Sequence, residues 1–346
     1  MDGWRKLRQG LVVALAALGL GLGGAWTVPL PGARAAVAPA PSGAITLYTS
    51  ESEDDVNALA GDFMKRTPGV TVKIFRAGTG PVEAKIQAEE QAGRIQADVL
   101  WFADPGFLHD LSTKGQLSAY APPAARGVPR EFHYDGNQYH EVRLIFNVIG
   151  YNTLAVHFKP TSWWDLAKPR YKGRAGMPNP FVSGAAFAGV GTFASMKGFG
   201  WDYYRALKQN NTQVIQANGD VLQKLASGEV VVAQIVDFFV RHAKADGSPV
   251  DYIVPSEGAL VIPTPVAIVK GTGNLGAAQA FLDYLYTPAA QALFVQRSYI
   301  PVLPGVALPP GVPPLSSIKI IQPNLPYIAQ HREDIKKTFT EIFGIQ

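Results

Sequence analysis

The apolar positions of residues 44–104 change period several times. Residues 45–48 (ITLY) are a short apolar run, which predicts a strand. Over residues 53–66, Val56, Leu59, Ala60, Phe63 and Met64 recur three, four and seven apart, one face of a helix. Thr67-Pro68-Gly69 stops that helix, because proline cannot continue its hydrogen bonds and glycine accepts a tight turn. Residues 70–75 are rich in β-branched side chains and predict a second strand. Gly78-Thr79-Gly80-Pro81 reads as a turn, 82–91 as a helix and 97–102 as a third strand closed by Asp104 and Pro105. Strand, helix, strand, helix, strand is the signature of an open α/β layer, in which ligands sit at the carboxyl ends of the strands. Thr49, Thr79 and Asp104 fall at such ends.

The alternation resumes further on. Strands are expected at 142–149, 174–177, 251–254 and 260–270, with a strand opening the run 229–240. Helices are expected from Ser183-Gly184 to about 197, then at 201–208, 220–226, 274–286, 289–296 and 333–343, with a short helical piece at 163–166. Asp237 then stands at the end of a strand. No internal repeat is visible. A second α/β lobe follows, joined to the first by extended crossings, so that the chain has a cleft and a hinge. The expected division is 44–146 with about 265–310 in lobe 1, and 147–264 with about 311–346 in lobe 2.

The first residues change the charge picture. WRKLR at residues 4–8, the apolar run 11–22 and ARA at 33–35 have the order of a secretory signal peptide, followed by a flexible leader at 36–43. The competing reading is a membrane anchor, but Gly23, Gly24 and Pro29 interrupt the apolar run, which falls short of the ~20 residues a span needs. The chain carries 31 basic and 27 acidic residues; without Arg5, Lys6, Arg8, Arg34 and Asp2 it carries 27 and 26. The basic balance is therefore mostly targeting signal and gives no support for nucleic-acid binding. There is no cysteine, which excludes a thiolate nucleophile, a thiolate metal site and a lipidated N-terminal cysteine. A monomer in a periplasmic or extracellular space is expected.

Several stretches together resemble a known family: the Tyr48-Thr49-Ser50 turn, DVLWFAD at 98–104, YNT at 151–153, WWDLAKPRYKG at 163–173, NPFVSGAAF at 179–187, SGEVVVAQIVDF at 227–238 and SYIPVLPGV at 298–306. In this order they resemble extracellular solute-binding proteins of ABC importers, in the branch that groups ferric-iron, phosphonate, sugar-phosphate and polyamine binders. The resemblance implies the type II periplasmic-binding fold, a membrane permease as partner, a small polar solute and no catalysis. Its ferric members usually supply adjacent tyrosines late in the second lobe. Here the matching segment is Asp237-Phe238-Phe239, and phenylalanine has no oxygen to offer hard Fe(III).

The candidate ligand residues are Thr49, Ser50, Glu51, Thr79, Gly80, Asp104, Ser183, Gly184, Ala185, Asp237 and Tyr299. Ser183-Gly184-Ala185 opens a helix, where free N–H groups can hold phosphate, phosphonate or carboxylate. Thr49-Ser50-Glu51 can cap a helix, cradle an anion or meet an amine. Gly78-Thr79-Gly80 can form an anion nest but lacks the GK[ST] ending of a nucleotide phosphate loop. Asp237 can pair with Arg241 or with a ligand amine. Arg76 and Arg143 offer guanidinium forks. No pattern points to a cofactor, a metal site or a hydrolase motif. A phosphonate or organophosphate is the expected solute, with ferric iron, a polyamine, or an exported hydrolase or transferase activity as alternatives.

Overall fold

The computed structural model describes residues 40–345; the expected signal peptide and the start of the leader lie outside the described residues. The first lobe begins with β1 (Gly43–Thr49), α1 (Glu53–Arg66), β2 (Val70–Arg76), α2 (Thr79–Gln91), β3 (Val99–Trp101) and α3 (Pro105–Thr113). On α1, Val56, Leu59, Ala60 and Phe63 are buried while Glu53, Asp54 and Asp55 occupy the first turn, where acidic charge suits the helix dipole. Burying each of its large apolar side chains contributes about 1.5–3 kcal/mol. The helix α3 was not expected, because Asp104 and Pro105 read only as the close of the preceding strand. Proline instead takes the first helical position, and Asp104 caps it by accepting from Phe107 N–H at 2.9 Å.

The chain continues through β4 (Leu117–Ser118), β5 (His133–Tyr134) and β6 (Tyr139–His140) into β7 (Arg143–Asn152), which is buried at all ten positions. Then come β8 (Ala175–Pro178), α4 (Gly184–Ser195), α5 (Gly200–Gln209), β9 (Gln213–Ile215), α6 (Asn218–Ser227), β10 (Val232–Val236), α7 (Asp237–Ala245), β11 (Val250–Ile253), β12 (Ala259–Ile262) and β13 (Val266–Val269). The last elements are α8 (Leu275–Leu285), α9 (Pro288–Gln296), β14 (Ile300–Pro301), β15 (Ile320–Ile321), α10 (Leu325–Gln330) and α11 (Arg332–Phe343). The run 229–240 does open as a strand, but the expected place of Asp237 at its end is corrected: the strand ends at Val236, and Asp237 is the first residue of α7.

Two sheets result. The first runs β2-β1-β3-β13-β6-β5, with β4 also on β13; β1 is parallel to β2 and β3, and β13 is antiparallel to β3. The second runs β15-β12-β7-β10-β8-β9, with β11 and β14 also on β7. The chain passes between sheets at Glu141-Val142, after β6, at Pro263-Thr264-Pro265, after β12, and again at Ser298-Tyr299, between α9 and β14. This is the α/β two-lobe architecture of type II periplasmic-binding proteins. Among the described residues no helix is long and apolar enough to cross a membrane.

Small residues on α4 let its neighbours approach. A Cβ at Gly189 would lie 2.7 Å from the Gln234 side chain, and one at Gly191 would lie 2.5 Å from Ile328 of α10. Thus α4 is wedged between the second sheet and the C-terminal helices, with its first turn directed at the other lobe.

Candidate ligand-binding site

A cavity of about 130 Å³ lies between the lobes. From the first lobe it is lined by Ser50, Glu51, Ser52, Arg76, Gly78, Thr79 and Ala103, and from the second by Val182, Ser183, Gly184, Ala185, Asn218, Phe238 and Phe239. Arg143 and Thr264, each beside a crossing, also line it.

The turn after β1 serves folding and the cavity together. Thr49 Oγ1 accepts from Glu51 N–H at 3.1 Å, and Ser50 Oγ accepts from Ala103 N–H at 3.4 Å. Arg76 Nε donates to the Glu51 carbonyl at 3.0 Å, so an exposed guanidinium is fixed at the cavity wall. The Glu51 carboxylate pairs with Arg143 Nη2, and both side chains are almost fully buried. Burial pushes the Glu51 carboxyl up, against the pull of Arg143. Burial opposes the charge on Arg143, but Glu51 beside it keeps the guanidinium above its ordinary value. Arg143 also lies 4.1 Å from the Tyr299 ring centroid and 5.7 Å from that of Trp101. Its Nε and Nη1 make no hydrogen bond to the described residues.

In the second lobe Ser183 caps α4, accepting from Ala186 N–H at 3.2 Å and from Asn218 Nδ2 at 3.1 Å. Asn218 Oδ1 accepts in turn from Val236 N–H at 3.2 Å. The starts of α4, α6 and α7 are thereby tied together beside the cavity, and the start of α2 faces them at Thr79. Each helix start presents N–H groups with no intrahelical partner.

Of the sequence-predicted residues, Ser50, Glu51, Thr79, Ser183, Gly184 and Ala185 line this one cavity. The others do not. Thr49 is buried behind the turn. Gly80 and Asp104 line a neighbouring cavity of about 360 Å³, where Asp104 pairs with Arg332. Asp237 accepts from Phe146 N–H and from Arg241 Nη1, at 2.9 and 2.6 Å, which satisfies its buried charge inside the second lobe. Tyr299 is buried and donates to Asp55 Oδ2 at 2.6 Å; burial pushes its hydroxyl well above the ordinary value. Sequence reasoning missed Asn218, Thr264 and Arg332. The Asn218-Gly219 pair opening a helix was the only available signal, and for Arg332 there was none.

A larger cavity of about 550 Å³ lies in the second lobe, but its charged groups are already paired, Arg241 with Asp237 and Lys244 with Asp251. Among the described residues, the smaller interlobe cavity is bordered by Arg143, whose Nε and Nη1 are buried donors without a partner.

The lobes meet closely at its rim. A Cβ on Gly80 would lie 2.1 Å from the Phe181 carbonyl oxygen, and one on Gly184 would lie 2.2 Å from that of Ala103. Gly78 faces Val182 in the same way, at 2.7 Å. The cleft is closed, backbone against backbone.

Residues 58–316 match the family model described as bacterial extracellular solute-binding protein. The "Probable ABC transporter periplasmic-binding protein y4fP" of Sinorhizobium fredii is 24% identical over 281 residues, 78% of this chain and 77% of the relative. The periplasmic binding protein AfuA from Actinobacillus pleuropneumoniae, solved with fructose-6-phosphate bound, superposes with a TM-score of 0.79 at 24% identity, over 88% of this chain and all of that one. Iron-bound HitA from Pseudomonas aeruginosa gives 0.75 at 23% identity, over 87% and 99%. This chain belongs to the bacterial extracellular solute-binding proteins, the non-catalytic components that bring a small solute to an ABC transporter.

Proposed function

We propose that the protein captures a small solute carrying a phosphonate or phosphate-ester group outside the cytoplasmic membrane and delivers it to its permease. One observation carries this reading: the buried guanidinium of Arg143 leaves its nitrogens Nε and Nη1 without a hydrogen-bond partner among the described residues, and Arg143 borders a cavity also bordered by the starts of α2, α4 and α6. A tetrahedral oxyanion can use donors from several directions, and a guanidinium fork matches its geometry. The bound fructose-6-phosphate of the AfuA structure is in keeping with this chemistry.

Charge favours this reading over a polyamine. Arg76 and Arg143 line the cavity with Glu51 as the one carboxylate, and Glu51 is already held by Arg143. Ferric iron is disfavoured because Phe238 and Phe239 occupy the wall where oxygen ligands would be needed, while the Tyr299 hydroxyl is engaged by Asp55.

Calorimetry with 2-aminoethylphosphonate, glycerol 3-phosphate, fructose 6-phosphate, inorganic phosphate, spermidine and ferric citrate tests the reading. At least one phosphorus compound should bind, and Ser183→Ala should weaken it roughly 10- to 150-fold, the equivalent of one hydrogen bond to a charged group. Binding of spermidine with failure of every phosphorus compound would overturn it.

A further inference from the structure

The C-terminal helices pack on the second lobe, through α10 and α11 on α4 and through α11 on α5, yet they also reach the first. A Cβ on Gly106 at the start of α3 would meet Ala329 of α10 at 3.7 Å. At the first position of α11, Arg332 Nη1 lies 3.1 Å from Glu83 Oε2 of α2, and Nη2 pairs with the Asp104 carboxylate. The guanidinium also lies 5.1 Å from the ring centroid of Phe187, on α4. One cation of the second lobe thus bridges two carboxylates of the first, and all three side chains are 14% exposed or less.

We propose that Arg332 is an affinity-determining residue that never touches the solute: it latches the lobes together across the rim of the cleft. The argument is a comparison of two states. When the lobes part, water solvates Glu83, Asp104 and Arg332 separately, so the open state tolerates loss of any one of them. When they close, the three groups lose that water, and a charge left without its partner is penalised in the closed state alone. Glu83 and Asp104 come from the same lobe and repel each other unless the cation from the other lobe arrives. Removing Arg332 therefore shifts the population towards the open form, and apparent affinity falls with the closed fraction. The latch acts on any solute that closes the cleft, so its failure would leave the organophosphorus reading intact.

The test needs no solute. The chain has no cysteine, so spin labels can be placed through Gln91→Cys on the first lobe and Lys197→Cys on the second, both at exposed positions. Pulsed dipolar spectroscopy on the unliganded protein then reads the closed and open populations. Arg332→Ala should lower the closed-to-open ratio about 10-fold or more, and Arg332→Lys should recover part of it. Because Arg332→Ala can also loosen α11, the deciding variant is the double change Glu83→Gln/Asp104→Asn, which leaves α11 untouched and should open the cleft likewise. Superimposable distance distributions for wild type and Arg332→Ala would overturn the proposal. So would opening by Arg332→Ala that the first-lobe double variant does not reproduce.

Discussion

Glu141 Oε2 accepts the Thr264 amide proton at 2.9 Å, and these two residues belong to two different passages of chain between the lobes. The crossings are therefore fastened to each other inside the protein. Further bonds brace both: Tyr286 donates its hydroxyl to the Glu141 carbonyl at 2.7 Å, and Trp101 Nε1 donates to the Thr264 carbonyl at 3.0 Å. Glu141 Oε1 makes no hydrogen bond to the described residues. Burial pushes this carboxyl up from 4.5 to about 8, against the pull of the Thr264 amide.

A raised carboxyl has a definite effect on stability. Below pH 4.5 it is protonated whether the chain is folded or not. Between 4.5 and about 8 the unfolded chain has lost the proton that the folded protein keeps, so its contribution falls as pH rises through that window and levels off above it. At ~1.4 kcal/mol per tenfold change in proton affinity, the ceiling is ~5 kcal/mol. Glu141→Gln should flatten the pH dependence of unfolding between pH 5 and 8 and leave the variant more stable than wild type at pH 8. Denaturant titrations at several pH values check this; an unchanged slope would show that Glu141 does not hold the proton.

Arg143 and Glu51 form a pair that costs more to break than to replace. Arg143→Met leaves the Glu51 carboxylate buried without a partner and should destabilise the protein by ~3 kcal/mol or more. Adding Glu51→Leu should recover much of that loss, while solute binding stays abolished in both. Guanidinium unfolding combined with calorimetry separates the two effects. Equal stability of the single and double variants would mean that packing of Arg143 against Tyr299, not charge, holds the site.

Gly184→Ala should separate binding from folding. Its new methyl group would meet the Ala103 carbonyl oxygen at 2.2 Å and Thr79 Cγ2 at 2.9 Å, both in the opposite lobe. With the lobes apart those neighbours are withdrawn. Thermal stability of the unliganded variant should therefore stay within about 1 kcal/mol of wild type, while affinity falls by an order of magnitude or more. Unchanged affinity would show that the solute is held without this rim contact.

Ferric salts should give no strong visible tyrosinate band. Tyr299 would have to surrender its bond to Asp55 and lose a proton that burial holds tightly. A stoichiometric band that disappears in Tyr299→Phe would reverse the assignment and place iron in this protein.

Much of the scaffold was legible because local signals agreed with the final packing. The Val56–Phe63 stripe reads as one helical face and is one. Ser183 reads as a cap before small residues and accepts from Ala186 N–H. Asp237 was misplaced because apolar residues on both sides of it, at 235–236 and 238–240, hid the change from strand to helix; its charge is then satisfied four residues on, at Arg241. Arg332 was invisible for a different reason. Its partners lie 228 and 249 residues away along the chain, and only the closed arrangement of two lobes brings them within reach. Signals of short range fixed the elements and the helix starts. Ion pairs of long range, which decide how the elements meet, leave no local trace.

The bare rim of Gly80 and Gly184 gives the molecule a mechanical stop. Peptide oxygens of Phe181 and Ala103 abut positions that have no side chain to yield, so the jaws travel to one end point and no further. The span enclosed at that end point is a property of the polypeptide, not of its cargo. An overlong solute props the jaws short of their stop, even if its charged end is held well. Size is thereby gauged by backbone at the edge of the cavity, while polar groups farther in gauge the cargo's chemistry, and a single methyl group added at the stop would reset the caliper.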